Sequence, residues 1–352
     1  MDTKPVFHGS DIEKICSYYN LKKENIVKFG ANVNPLGLSP KAGRAIAEHV
    51  DILSSYPDRE YTSLRNTISS YCNIPADFIL PGNGSSELIS LLIQERAPKH
   101  TLILGPTYSE YSRELSFSGS TQEYYHLQES NDFEPDIPDL CRKLEQGYDF
   151  LILCNPNNPT GSEFSTAEFV SFARSIPGDV LILLDEAYRE FATSDVDGVD
   201  LLRAFPNIVV FRTFSKAYGL AGLRAGYAVT NSAIAADLRS AAPPFGLSAV
   251  AEAAACAALT DPAHTDSIVE TVTEGRSHLR EQLALRGVET VPSGANFVWI
   301  PLGKRASALE AACVAQGVSV RMFPGEGVRV TVGERAAEDA VIAAVDALAH
   351  NL

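Results

Sequence analysis

The sequence predicts an α/β fold built on a mainly parallel sheet, and two patterns carry that expectation. Between residues 40 and 230, helical segments alternate with short apolar runs at 101–104, 150–154, 180–184, 208–211 and 225–229, as expected for strands buried on both faces and joined by crossover helices. The polar clusters at 155–161, 185–188 and 213–216 each follow one of those runs. That puts them at the carboxyl ends of strands, where open parallel sheets hold their ligands.

Length and composition narrow the function classes. At 352 residues the chain has room for roughly two domains and a large core. A net charge of −15 works against a broad electrostatic grip on nucleic acid or anionic lipid, so any anionic ligand has to be held locally. With 45% hydrophobic and 21% charged residues, neither a disordered nor a fibrous class is favoured. The start, Met1-Asp2-Thr3-Lys4-Pro5, has no basic stretch leading into an apolar core, and no segment reaches the ~18 uninterrupted apolar residues of a membrane span. The expectation is a cytoplasmic catalyst or binder with neither membrane nor nucleic acid as partner. Cys16, Cys72, Cys141, Cys154, Cys256 and Cys313 are scattered, without a CxxC pair or histidines at zinc-ligand spacing, which predicts reduced, structural thiols and no metal. Cys154, inside an apolar run, reads as a small buried hydrophobe.

In chain order, Ser10 and Glu13 form a capping-box pattern ahead of Ile12, Ile15 and Tyr19, predicting a short amphipathic helix. Gly30-Ala31-Asn32-Val33-Asn34-Pro35-Leu36-Gly37 carries too much turn chemistry for a regular element and reads as a crossing between structural units that could line a cleft. Gly82-Asn83-Gly84-Ser85-Ser86-Glu87 precedes an apolar helical run at 88–93. Its glycines permit a tight turn, and free N–H groups at a helix start favour a phosphate. A turn without any ligand is equally compatible with those residues. Glu87 stands where a dinucleotide fingerprint needs its third glycine, which argues against a nicotinamide-dependent oxidoreductase.

After 150–154, Asn155-Pro156-Asn157-Asn158-Pro159-Thr160-Gly161 brackets adjacent asparagines with prolines, a rigid turn able to aim an amide into the strand-end cleft. The run at 181–184 ends in Asp185-Glu186-Ala187-Tyr188. A buried Asp185 needs a cation or donors, and a protonated heterocycle would serve. Thr213-Phe214-Ser215-Lys216 with Gly222-Leu223-Arg224 gathers two hydroxyls, a primary amine and a guanidinium, the inventory for a covalently held phosphorylated aldehyde. Lys216 can form the Schiff base, with Thr213, Ser215 and Arg224 on phosphate oxygens. Beyond 241, an Ala-rich helix at 248–259, a long helical segment at 267–285, and short elements at 297–300, 318–321, 328–332 and 336–349 read as a second, smaller α/β unit.

With these motifs in hand, the chain resembles the fold-type-I pyridoxal-phosphate-dependent aminotransferases of class I/II, and specifically the histidinol-phosphate aminotransferase family, over nearly its whole length. Tyr56-Pro57-Asp58, Gly82-Asn83-Gly84-Ser85, Pro106-Thr107-Tyr108, Asn157-Asn158-Pro159-Thr160-Gly161, Asp185-Glu186-Ala187-Tyr188, Ser215-Lys216, Gly222-Leu223-Arg224 and Val328-Arg329-Val330-Thr331-Val332-Gly333 carry the resemblance in order. It implies pyridoxal 5′-phosphate as cofactor, with Lys216, Asp185 and Tyr188 as catalytic residues. Lys216 is implied as the Schiff-base lysine and proton carrier, and Asp185 as the partner of the pyridinium nitrogen. Asn158 and Tyr188 are implied as donors to the phenolic oxygen, and Tyr108 as the ring stacked on the cofactor. Gly84, Ser85, Ser86, Thr213, Ser215 and Arg224 are implied as the phosphate cradle. Tyr56 is implied to reach the cofactor phosphate of a neighbouring subunit, hence a homodimer with shared active sites.

Arg329 is implied as the bidentate carboxylate clamp, with Asn34, Asn296 and Arg321 on the substrate side. The resemblance further implies a large cofactor-binding domain at 41–240 and a small α/β domain formed by an N-terminal arm at 1–40 together with 241–352. The implied reaction is transamination between a small-molecule amino donor, of histidinol-phosphate or aromatic amino acid type, and a 2-oxo acid, 2-oxoglutarate. Phe7-His8-Gly9 and Asn32-Val33-Asn34-Pro35-Leu36-Gly37 also resemble the threonine-phosphate decarboxylase branch, which is the alternative. Tyr188, where that branch tends to carry phenylalanine, favours the aminotransferases.

Overall fold

The computed structural model describes Phe7, Gly9 and residues 11–348. Along the chain its strands are β1 (Val27–Lys28), β2 (Ile79–Gly82), β3 (His100–Gly105), β4 (Thr121–His126), β5 (Phe150–Cys154) and β6 (Leu181–Asp185). Then come β7 (Ile208–Thr213), β8 (Gly226–Val229), β9 (Phe297–Pro301), β10 (Val318–Ser319), β11 (Arg321–Phe323) and β12 (Gly327–Thr331). Seven of them form the central sheet in the order β2-β8-β7-β6-β5-β3-β4. Pairing is parallel from β7 across to β4, and only β8 runs against its neighbours.

Apolar runs with no polar alternation are what a doubly covered sheet requires, and every residue of β5 and of β7 is buried. Successive side chains leave on opposite faces. Leu151, Leu153, Ile182, Leu184 and Val210 enter one core, while Phe150, Ile152, Leu183, Val209 and Phe211 enter another. Parallel register then aligns the carboxyl ends: Cys154 lies beside Asp185, and Asp185 beside Phe211. The residues that follow β5, β6 and β7 therefore emerge at one edge.

A second sheet, β11-β12-β9, is antiparallel and places Arg329 between Arg321 and Trp299. The short β1 pairs in parallel with β10, so residues 27–28 lie against residues almost three hundred positions later. From there the segment 29–39 crosses without helix or strand before helix Pro40–Glu48.

The structure corrects several expected boundaries. The first helix, Ile12–Tyr19, has Asp11 at its N-cap with no side-chain cap bond. Ser10 and the expected capping box lie outside the described residues, as does His8. The helix expected at 88–93 begins at Gly84 and is preceded by β2, a strand hidden by the Pro81-Gly82 ending that reads as turn chemistry. β4 (TQEYYH) was not expected, because as an edge strand it needs little apolar patterning. The run 318–321 is two strands in two different sheets, β10 and β11. The long helix starts earlier than 267, at Pro262, since proline is accommodated in the first turn.

Candidate active site

A cavity of about 430 Å³ opens at the carboxyl edge of the central sheet, between it and the β11-β12-β9 sheet. Twelve of the residues singled out in the sequence line it: Ser85, Ser86, Tyr108, Asn158, Asp185 and Tyr188, then Thr213, Ser215, Lys216, Arg224, Arg321 and Arg329. They come from seven separate stretches of chain.

One end is built to hold an anion. Helix Gly84–Arg96 presents its N-terminus here, with Ser85 and Ser86 in the first turn, so unpaired N–H groups and the positive end of the helix dipole face the cavity. Thr213 Oγ1 donates to Ser215 Oγ at 3.0 Å, and Arg224 Nη1 donates to the same oxygen at 3.3 Å. Gly84 sits at φ +78°, and a Cβ there would lie 2.6 Å from Arg224 Nη2. Only glycine combines that left-handed backbone with the approach of the guanidinium.

At the floor, Asp185 is buried with two neutral donors: Tyr111 Oη at 2.5 Å and the Ala187 N–H at 3.0 Å. Among the described residues it has no ion-pair partner within 4 Å. Burial raises its carboxyl pKa, and the Tyr111 hydrogen bond, the Ala187 N–H and Lys216 pull in the other direction. A buried carboxylate open to the cavity and lacking a cation matches a protonated ring nitrogen. The serine, threonine and arginine cradle at the other end matches a phosphate. The residues present therefore fit pyridoxal phosphate.

Lys216 Nζ donates to the Ala31 carbonyl at 3.2 Å and lies 5.6 Å from the centre of the Tyr188 ring. Desolvation, reinforced by the positive charge of Arg329, lowers its pKa to about 7, against the pull of Asp185. Its amine is thus substantially neutral at physiological pH, as a nucleophile and proton acceptor must be. Arg329 donates through Nη1 to Asn158 Oδ1 and through Nη2 to the Gly30 carbonyl at 2.7 Å, while its Nε has no partner. Burial brings its pKa down to about 10. Arg321 lines the same cavity from the neighbouring strand, with Nη1 buried and unpartnered.

A model of the class I and II aminotransferases matches residues 24–345. The chain belongs to that family. Pyridoxal phosphate is the cofactor of this aminotransferase, as the fit of the cavity already required. A histidinol-phosphate aminotransferase of Halalkalibacterium halodurans is 35% identical to it over 338 residues, spanning 94% of this chain and 91% of that protein. An aromatic amino acid aminotransferase of Rhodococcus jostii is 35% identical over 337 residues, spanning 95% and 94%. Among solved structures, histidinol-phosphate aminotransferase from Sinorhizobium meliloti in complex with pyridoxal-5′-phosphate superposes with a TM-score of 0.88 at 26% identity, covering 99% of this chain and 96% of that one.

Not every residue expected in the site of this aminotransferase lines its cavity. Asn34 is buried but fully engaged, donating to the Gly37 and Ala217 carbonyls and accepting from the Leu36 N–H. Asn296 donates to the Asn32 carbonyl at 2.9 Å. Both brace the cavity wall from behind and do not line it. Tyr56 is 83% exposed, its ring 4.8 Å from that of Phe245 and outside the cavity. Gly84 acts through Arg224, as above. Of the bracketed asparagines only Asn158 lines the cavity, because Asn157 is held by Thr107, Thr160 and Pro106. Cys154 is buried and burial raises its thiol pKa well above the usual range.

Sequence reasoning missed Asn32, Tyr111 and Phe323. Tyr111 lies in the first turn of helix Glu110–Ser118 and meets edge-on the ring of Tyr108, which precedes the helix. Nothing local marks Phe323, which reaches the cavity through pairing of β11 with β12.

Proposed function

We propose that this aminotransferase takes an amino donor of the histidinol-phosphate or aromatic amino acid type and passes the amino group to 2-oxoglutarate, working in the cytoplasm as a homodimer. One observation carries the donor class. Arg321 and Arg329, register partners on β11 and β12, both flank the Phe323 ring, with guanidinium carbons 5.3 and 5.9 Å from its centre. A substrate-side wall with two cations and an aromatic surface suits a planar side chain accompanied by anionic groups. The names of the relatives reported above point the same way.

In this reading Arg224, Thr213, Ser215, Ser85 and Ser86, seated on Gly84, hold the cofactor's phosphate. Asp185 would pair with its ring nitrogen, Asn158 and Tyr188 with its phenolic oxygen, and Tyr108 would cover its ring. When bound, the cofactor supplies an electron sink for the pair left at the substrate's α-carbon. Lys216 Nζ, about half neutral near pH 7, would anchor the cofactor and, once freed, accept the proton from that carbon. Arg329 exchanges its contacts with Gly30 and Asn158 for the substrate carboxylate, with Arg321 receiving a further anionic group. The exposure of Tyr56 supports its reaching across to a second subunit. The pairing of β1 with β10 supports a large domain at 41–240 and a small one composed of 1–40 and 241–352.

The test follows glutamate formed from 2-oxoglutarate across candidate amines, with carbon dioxide assayed in parallel. Stoichiometric glutamate with histidinol phosphate or an aromatic amino acid, and no gas, is expected. Carbon dioxide released without glutamate overturns the proposal in favour of a threonine-phosphate decarboxylase-like reaction. Borohydride reduction followed by peptide mapping must find the cofactor on Lys216.

A further inference from the structure

Three consecutive residues of the irregular crossing segment each touch a different group of the site. The Gly30 carbonyl accepts from Arg329, the Ala31 carbonyl accepts from Lys216, and the Asn32 side chain meets the Tyr188 hydroxyl. Asn32 is fully buried and holds a left-handed backbone, φ +55°. Asparagine tolerates that conformation better than most residues, and glycine tolerates it fully.

The orientation of the Asn32 amide follows from its neighbours. The Asn32 backbone N–H donates to Thr331 Oγ1 at 3.1 Å, which occupies a lone pair of that hydroxyl. The Thr331 proton is then directed to Asn32 Oδ1, also at 3.1 Å. With Oδ1 receiving Thr331, Nδ2 points to Tyr188 Oη and donates at 3.1 Å. Asn296 Nδ2 fixes the Asn32 carbonyl at 2.9 Å, so the residue is held at four points. Thr331 lies two positions beyond Arg329 on β12, on the same face of the strand.

We infer that Asn32 is a positioning residue for Tyr188: by donating to Oη it leaves the phenol's own proton directed into the cavity, toward the cofactor's phenolic oxygen. The inference rests on the reading of Tyr188 proposed above. It gives the N-terminal crossing segment a part in setting how tightly the cofactor is held, through an amide that does not itself line the cavity.

The test is a double-mutant cycle on cofactor binding, read by quenching of the single tryptophan, Trp299, which packs edge-on against cavity-lining Phe323. Tyr188→Phe and Asn32→Gly are each expected to weaken cofactor binding about fivefold, one hydrogen bond's net worth. Each should also move the pH midpoint of the bound cofactor's absorbance in the same direction. Combined with Tyr188→Phe, Asn32→Gly is expected to add less than about twofold. Asn32→Asp is a second variant that keeps the Thr331 contact and loses the donor. It should match or exceed Asn32→Gly, because a carboxylate would draw the Tyr188 proton toward itself.

Equal losses from Asn32→Gly in both backgrounds, or no movement of the absorbance midpoint, overturn the positioning role and leave a plain structural bridge. An unchanged affinity and midpoint in Tyr188→Phe alone overturns the reading of Tyr188, and the inference with it.

Discussion

Tyr111→Phe probes the pairing of a buried acid with its neutral donors. The substitution keeps the ring edge-on to Tyr108, with centroids 5.5 Å apart, and deletes the hydroxyl that donates to Asp185 Oδ2. Asp185 then retains the Ala187 N–H alone. A hydrogen bond to a charged group contributes about 1.5–3 kcal/mol. Spread over the unfolding entropy of a chain this long, roughly 2.1 cal/mol/K per residue, the loss lowers the Tm of the cofactor-free protein by about 2–4 °C.

The pH dependence has a definite sign. Burial raises the folded-state pKa of Asp185 above that of the unfolded chain, so the folded protein binds more protons in that window and stability falls as pH rises through it. Tyr111 opposes the rise, so removing its hydroxyl extends the window upward. The variant's deficit is therefore expected to be larger on the alkaline side of that window, where Asp185 is charged, than on its acid side, where protonation relieves the missing donor. Thermal or urea unfolding of cofactor-free wild-type and variant protein across that range is the assay. A deficit that is constant with pH refutes the assignment of Tyr111 as the partner of a charged Asp185.

Further outcomes follow from the structure. Labelling of Lys216 in the cofactor-free protein by an amine reagent, quantified by peptide mass spectrometry, should reach half its maximal rate near pH 7, and Arg329→Gln should move that midpoint upward because the Arg329 charge helps depress it. Since that amine's pKa is depressed, its contribution to stability improves as pH rises from about 7 toward 10.5, the reverse of Asp185. Gly84→Ala should weaken cofactor binding by about tenfold or more in equilibrium dialysis, because the new Cβ displaces Arg224 and strains a φ of +78°. Arg212→Gln should destabilise the protein by about 3–5 kcal/mol in urea unfolding, since it strands Glu186, whose side chain is fully buried and paired with Arg212 at 2.7 Å. Arg96→Gln, breaking a solvent-exposed pair with Asp237, should change little.

The sequence by itself determined the local chemistry. Uninterrupted apolar runs marked five of the seven strands of the central sheet, and strand-end position then put Asp185, Thr213, Ser215 and Lys216 at one edge, because parallel strands align their carboxyl ends whatever their order. Gly84 and Arg224 were legible as types, one for backbone freedom and one for charge. What only tertiary structure decided is everything that depends on segments distant in sequence meeting. The family resemblance implied Asn34 and Asn296 as site residues, yet their amide N–H groups donate to backbone carbonyls across the cavity wall. Tyr111 and Asn32 were not marked as site residues, yet they supply the donors behind Asp185 and Tyr188. A hydrogen bond is set by distance and direction within a few tenths of an ångström. No sequence pattern encodes such a distance between positions 32 and 188; packing of the β11-β12-β9 sheet against the central sheet does.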